Sequence, residues 1–194
     1  FLYYIKRGSV KMYTLFIDTH AANTLLILYK DNNLYKIKNK ESNSQSEVIM
    51  PTLIELLEEE NLTVDNLSKI AVVIGPGSFT GVRLGVTIAK TIGYCKNIPI
   101  VTVTSLELGL PTKAPFISEP EKNGYYIGSV INDSIQNYQY LKKDEYLEFI
   151  KTHEVDTVKE INYDYLIKVI HQKESVNPHK VNPFYVKLIE VEQK

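Results

Sequence analysis

The sequence has little that a secreted or membrane protein needs. It holds one cysteine, Cys95, in 194 residues, so an internal disulfide is impossible and a reducing cytoplasm is the expected compartment. Cys95 lies in an apolar helical pattern, which predicts a buried, unreactive thiol. No apolar run approaches the ~18 residues of a membrane span. Residues 1–11 lack the apolar region of a signal peptide, and we expect them to be an upstream extension or an expression remnant ahead of Met12.

The chain also lacks an excess of positive charge. Its 22 basic and 23 acidic residues give a net charge of −1, so no global field attracts it to nucleic acid. The 14 tyrosines are scattered without the alternation of aromatic and basic residues that single-strand binding surfaces use. Any contact with RNA must therefore be local or made through a partner.

Hydrophobic periodicity is regular between Met12 and about residue 110. β-Branched and aromatic runs separated by turn residues predict three antiparallel strands, and later continuous apolar runs predict buried parallel strands around a helix. Ser46 is a plausible cap of the first helix, and Pro51 either marks its first turn or bends it. The predicted elements are strands at 13–18, 24–30 and 33–38, a helix at 46–61, a strand at 69–74, a helix at 80–95 and a strand at 98–103. This order predicts an α/β domain with a mixed five-stranded sheet.

The remainder of the chain has a different composition. Three prolines between Leu110 and Pro120 predict a linker, after which a hairpin should turn at Asn132-Asp133. One or two short helices are expected between 143 and 171, followed by an extended piece at 183–191. We therefore predict a first lobe at 12–110, and a linker with a small second lobe at 111–194.

The stretch GPGSFTG, from Gly75 to Gly81, predicts a turn that leads from a strand into a helix. Its glycines permit positive φ and Ser78 or Thr80 can cap the helix, so free N–H groups at this point would attract an anion. The lysine of a P-loop is missing, as are the third glycine and the acidic residue of a dinucleotide-binding fingerprint. The stretch alone is a weak signal for phosphate binding.

Small residues recur every four positions along the helix that follows, at Gly81, Gly85, Ala89 and Gly93. Glycine costs about 1 kcal/mol relative to alanine inside a helix, so such a stripe requires a neighbour that packs closely. That neighbour is either the protein's own sheet or first helix, or a helix of a partner protein, or both.

Four segments resemble the bacterial TsaB (YeaZ) family in order and spacing: MYTLFIDT, SQSEVIMPTLIELLEE, LSKIAVVIGPGSFTGVRLGVTIAKTIG and IPIVTVTSLE. The resemblance covers about residues 12–110. It implies an actin-like ASKHA fold built from ribonuclease-H-like halves, and a role in making N6-threonylcarbamoyladenosine (t6A) in tRNA. It also implies a non-catalytic subunit that binds the transferase TsaD, in a complex joined by the ATPase TsaE.

The same resemblance allows the site residues to be compared. The catalytic relatives carry a metal-binding pair of histidines where this chain has Ser105 and Gly109, so we expect no metal and no catalytic residue here. The four histidines, His20, His153, His171 and His179, are interpreted as scattered surface or turn residues. A vestigial phosphate loop is expected at Asp18, Thr19, Gly75, Gly77 and Ser78. ATP and a metal are expected on partner subunits, and tRNA contact only through the complex.

The resemblance departs from the family at two places. Gln45 stands where a histidine is common, and Pro120-Glu121-Lys122 stands where an Asp-Ala-Arg sequence is common. The second lobe also looks shorter than usual.

We expect the two first-lobe helices to form the partner surface, with a homodimer in the absence of the partner. Its predicted residues are Gly81, Gly85 and Ala89 for close approach, Arg83 for register, and Ile49 and Leu53 from the first helix. Gly85→Leu is expected to abolish binding without unfolding the protein. The alternative is a stand-alone ASKHA-type ATPase or small-molecule kinase that uses Asp18 and the Gly75–Ser78 loop, and a metallopeptidase is a weaker third possibility.

Overall fold

The structure, a computed structural model, describes residues 12–42 and 44–187. Its strands are β1 (Tyr13–Asp18), β2 (Asn23–Lys30), β3 (Asn33–Glu41), β4 (Leu67–Val73), β5 (Ile100–Val103), β6 (Phe116–Glu121), β7 (Gly124–Ile131), β8 (Ser134–Lys142) and β9 (Val155–Thr157). Its helices are α1 (Gln45–Glu58), α2 (Phe79–Lys96), α3 (Lys143–Thr152) and α4 (Tyr163–Gln172). Predicted features at residues 1–11 and 188–191 lie outside the described residues.

The first sheet has the strand order β3-β2-β1-β4-β5. The first three strands are antiparallel neighbours, whereas β4 runs parallel to both β1 and β5. Helices α1 and α2 contribute to the core on one face of this sheet, where Leu53 and Leu56 share a cluster with Val82 and Val86. The predicted mixed five-stranded α/β sheet is confirmed.

The second sheet has the order β8-β7-β6-β9. Its β7–β8 hairpin turns at Asn132 and Asp133, which have φ values of 51° and 57°. Two such residues form the type I′ turn that fits the twist of paired strands, and the predicted hairpin is present.

The predicted linker is wrong in its second half, because residues 116–121 form strand β6. Proline is tolerated there for a geometric reason. β6 has two neighbours only at residues 116–118, and Pro120 faces β7 alone, so it occupies an edge position.

The end of the described chain returns to the first lobe. Leu166, Ile167 and Ile170 of α4 pack on the face of the first sheet opposite α1 and α2. Val176 then bridges to Ile100 of β5, and the Phe184 N–H donates to the Ile74 carbonyl. The predicted boundary at residue 110 therefore separates the two sheets, but the first lobe is completed by later residues.

Two local predictions are corrected. The N-cap of α1 is Ser44 and not Ser46, and its side chain makes no capping hydrogen bond. Cys95 is exposed, because it lies beside Tyr94 on the outer side of α2, whereas Gly93 faces the sheet. Among residues 12–42 and 44–187, no helix is long and apolar enough to cross a membrane.

Candidate functional site

A cleft of about 1610 Å³ lies between the two lobes. The loop after β1 and the start of α2 line it on one side. The second sheet and the segment around Tyr185 line the other. Gly77 and Ser78, which the sequence predicts to be phosphate-loop residues, line this cleft.

The anion cradle at the start of α2 is filled by the protein's own chain. The Ser78 N–H donates to the His20 carbonyl at 2.8 Å, and the Ser78 hydroxyl caps α2 by accepting from the Gly81 N–H at 3.2 Å. A Cβ on Gly77, whose φ is +155°, would lie 2.6 Å from the His20 carbonyl oxygen. Two N–H groups that a phosphate would otherwise occupy therefore already have partners.

The loop after β1 is also held by both helices of the first lobe. The Thr19 hydroxyl, which is buried, donates to the Gly81 carbonyl at 2.7 Å. The Gln45 amide donates to the carbonyls of Ala21 and Asn23 at 2.9 and 2.8 Å. Gln45, where the family commonly has histidine, thus anchors this loop to α1.

His20 lies between two carboxylates, one from each lobe. Its Nδ1 is 2.6 Å from Asp18 Oδ1, and its Nε2 is 2.5 Å from Glu119 Oε1 on β6. Neutral imidazole has one N–H, so donation to both carboxylates requires the imidazolium. Burial disfavours that charged form, but the adjacent Asp18 and Glu119 outweigh burial and raise the pKa of His20 well above its ordinary value.

The prediction that all four histidines are surface or turn residues is therefore wrong for His20, which is 8% exposed. Its position two residues after Asp18 was a signal for the first contact. Nothing in the sequence links it to Glu119, which is 99 residues away. We name Asp18, His20 and Glu119 the His20 bridge.

The positions of the missing metal histidines are closed. Ser105 is fully buried, and a Cβ on Gly109 would lie 2.5 Å from Ile117 and 2.9 Å from Val158. Between them, Glu107 accepts hydrogen bonds from the Thr104 N–H at 2.7 Å and the Lys173 ammonium at 2.6 Å. In the described part of the chain no group of three or more His, Cys, Asp or Glu side chains is arranged to hold a metal ion.

The small-residue stripe of α2 faces the protein's own sheet. A Cβ on Gly81 would lie 2.0 Å from the Thr19 carbonyl oxygen, and one on Gly85 would lie 2.5 Å from the Thr19 hydroxyl. Ala89 is fully buried, and Ile49 and Leu53 of α1 are 1% and 2% exposed. These five residues therefore pack inside the first lobe. The expectation that they face a partner protein is corrected.

Arg83 is exposed, but it is engaged within the chain. Its guanidinium lies 3.6 Å from the centre of the Phe79 ring, and its Nε donates to the Tyr185 hydroxyl at 2.8 Å. The Phe79 and Tyr185 rings stack with centres 5.3 Å apart. Of the predicted interface residues, only Arg83 remains at the surface.

The outer face of the first lobe is nevertheless apolar in part. Met50 and Ile54 of α1 are 43% and 49% exposed. On α2, Leu84, Ile88 and Ile92 are half-buried at intervals of four residues and pack against the edge of the core. We call these five residues the outer helix face; it replaces the buried stripe as the exposed apolar surface of these helices.

Comparison with known proteins gives matches over parts of the chain. Residues 38–120 match the family model described as TsaD, tRNA N6-adenosine threonylcarbamoyltransferase. The tRNA threonylcarbamoyladenosine biosynthesis protein TsaB of Bacillus subtilis (strain 168) is 52% identical over 58 residues, which cover 30% of this chain and 25% of that protein. The protein of the same name from Haemophilus influenzae is 24% identical over 130 residues, 62% of this chain and 55% of that protein.

The matched segments therefore span between a quarter and about half of these curated relatives. The solved structure of YeaZ from Pseudomonas aeruginosa superposes with a TM-score of 0.71 at 15% identity, covering 90% of this chain and 99% of that one. At this identity the superposition establishes the fold alone.

The two sheets, their helices and the cleft between them define an α/β protein of the actin-like ASKHA class. Within that class, the curated sequence matches show that parts of the chain are similar to TsaB proteins, in agreement with the resemblance carried by the GPGSFTG motif and its surroundings.

Proposed function

We propose that this protein is a non-catalytic scaffold subunit in tRNA t6A synthesis, and that it binds a TsaD-type transferase through the outer helix face. The observation that carries the proposal is the filled cradle. The His20 carbonyl and the Ser78 hydroxyl accept from N–H groups at the start of α2, where an ATP-using relative would bind phosphate. Similarity to relatives named for t6A synthesis supports the assignment to this pathway.

The closed metal positions support the same proposal. A histidine at Gly109 would have to displace Ile117 and Val158, so the second ligand of a metal pair cannot be accommodated without rebuilding this part of the lobe. Catalysis would then belong to the transferase, which would also hold the metal and ATP, while a TsaE-type ATPase and the tRNA join the complex.

The outer helix face supports the binding role. Met50 and Ile54 leave large apolar side chains in water on a helix whose opposite side is already packed, and apolar surface of this kind favours association. The same surface on a second copy could be buried in a symmetric homodimer when the transferase is absent.

The experiment is binding of purified transferase to parent and variant proteins, measured by analytical ultracentrifugation. Ile54→Arg should prevent complex formation because it places a charge in the apolar contact. Leu147→Arg is the matched control, since Leu147 is a 54% exposed leucine on a helix of the other lobe. Retained binding by Ile54→Arg, or loss of binding only in Leu147→Arg, would contradict the proposed surface.

The stand-alone ATPase is tested separately. It requires Asp18 and the Gly75–Ser78 loop to receive phosphate, yet Asp18 contacts His20 and Ser78 N–H is bonded to the His20 carbonyl. Magnesium-dependent ATP turnover by the isolated chain would support that alternative over the scaffold.

A further inference from the structure

We propose that the His20 bridge is a latch that fixes the orientation of the second lobe relative to the first, at the place where ASKHA proteins use a bound nucleotide. His20 and Asp18 belong to the first lobe and Glu119 to β6 of the second. The contact is therefore a direct charged connection between the lobes across the floor of the cleft. It does not depend on the proposed scaffold function.

The first-lobe half of the latch is held rigidly. The His20 N–H donates to Asp18 Oδ1 at 2.9 Å, and its carbonyl accepts from Ser78. The neighbours of His20 are also held by hydrogen bonds. The Thr19 hydroxyl donates to a carbonyl of α2, and the Ala21 carbonyl accepts from a side chain of α1. The imidazole ring consequently has a fixed position from which to meet the second lobe.

The second-lobe half depends on His20. Glu119 Oε1 contacts His20 Nε2, whereas the buried Oε2 has no hydrogen-bond partner within the described ranges. The Glu119 side chain is 14% exposed, so water hydrates its carboxylate only in part. A buried carboxylate without a cationic partner is strongly unfavourable, so loss of the imidazolium favours either protonation of Glu119 or a separation of the lobes that hydrates its carboxylate.

The charged groups facing the ring are Asp18 from the end of β1 and Glu119 from β6. The start of α2 packs Gly77 on the ring and brings no ionisable side chain. Without the imidazolium, two carboxylates would face each other across the cleft. The latch is therefore attractive only while His20 is present and charged.

The test measures the distance between the lobes by electron paramagnetic resonance of two spin labels. One label is placed on the exposed Cys95 of α2. The other is placed on a cysteine introduced by Glu148→Cys on α3, at a side chain that is 72% exposed. The parent should give a narrow distance distribution. His20→Gln should shift and broaden it, because the neutral glutamine amide lacks the positive charge that holds the two carboxylates together.

Glu119→Gln provides the second variant, since it keeps the shape of the side chain and removes its charge. In the His20→Gln/Glu119→Gln double variant the carboxylate repulsion is gone, so its distribution should be narrower than that of His20→Gln. Glu160→Gln, an exposed carboxylate in the second lobe, is the control and should leave the distribution unchanged. An unaltered distribution in folded His20→Gln, verified by circular dichroism, would overturn the latch. So would equal broadening in Glu160→Gln.

Discussion

At the scale of single residues, the loop that follows β1 affects both what the cleft can bind and how the two lobes contact each other. His20 brings its carbonyl to the start of α2 and its ring to Glu119. A short side chain at this position would leave the cleft floor open. The backbone of the phosphate-type loop is thus preserved, while the His20 carbonyl and the Ser78 hydroxyl occupy its N–H groups and the His20 ring bridges the cleft floor.

The charge of His20 should be visible in the pH dependence of stability. Its pKa is raised above the ordinary 6.5 in the folded state, so its stabilising contribution is complete below that value and is lost as the pH rises through the raised pKa. Chemical denaturation from about pH 6 to about pH 9 should show a larger loss in free energy of unfolding for the parent than for His20→Gln. Parallel curves would mean that the ring is neutral in the folded protein.

The packing of Gly85 gives a second prediction at this scale. A Cβ would lie 2.5 Å from the Thr19 hydroxyl, which donates to Gly81, so Gly85→Ala should destabilise by about 1–3 kcal/mol through overpacking. This loss should exceed the helix-propensity gain of about 1 kcal/mol. Gly85→Leu should therefore impair folding, contrary to the expectation from sequence.

The matched control is Thr87→Ala on the exposed side of the same helix, with an expected change within about 0.5 kcal/mol. Urea denaturation measures both variants. A stabilised Gly85→Ala protein would show that the helix lies farther from Thr19 than described.

At the scale of elements, the first sheet could be predicted from sequence and much of the second lobe could not. Strands such as residues 13–18 can be predicted because they consist of continuous apolar residues that end at clear turn residues. Strand β6 could not be predicted because Pro115 precedes it and Pro120 lies within it, and the three-residue β9 is too short to show a period. Local patterns also cannot reveal that α4 packs on the first sheet, because that contact is made only in the folded chain.

The α2 helix shows a different limit of sequence reasoning. The interval of four at Gly81, Gly85 and Ala89 correctly predicted a close neighbour, but not which neighbour. That neighbour is Thr19, which lies 62 residues from Gly81 in the sequence and packs against the small residues of α2. The GPGSFTG stretch predicted the turn between β4 and α2, whereas the contact of His20 with Glu119 required the second lobe to be placed.

A ladder of ion pairs joins β3 to α1 and gives a prediction at the element scale. Lys38 and Lys40 lie 2.8 and 2.7 Å from the two carboxylate oxygens of Glu55. Hydrogen bonds from Lys38 first and Lys40 second lower the pKa of Glu55 to about 2. Its contribution to stability is therefore present above the ordinary 4.5 and is lost as the pH falls through about 2.

The free energy of unfolding of the parent should therefore fall more steeply with acid than that of Glu55→Gln. Added salt screens the ion pairs, so it should reduce the difference in free energy of unfolding between the two proteins. Glu58→Gln is the matched control, because Glu58 is exposed on the same helix and lies outside the ladder. If Glu55→Gln and Glu58→Gln respond alike to acid and salt, the ladder does not stabilise the fold.

At the scale of the whole molecule, the two lobes keep the ASKHA arrangement while the features needed for chemistry are occupied. The cradle is bonded to the chain itself, the cleft floor is bridged by His20, and Gly109 leaves no space for a metal ligand. The outer helix face is left as an exposed apolar surface. These features support the proposed scaffold role.

The central claim is tested most directly by reconstituting tRNA modification with purified TsaD-type and TsaE-type proteins and measuring t6A in the tRNA. The scaffold account predicts no t6A from this chain alone, a large gain when it joins the other two proteins, and loss of that gain in Ile54→Arg but not in Leu147→Arg. Formation of t6A by the isolated chain, or an equal yield with and without it, would contradict the account.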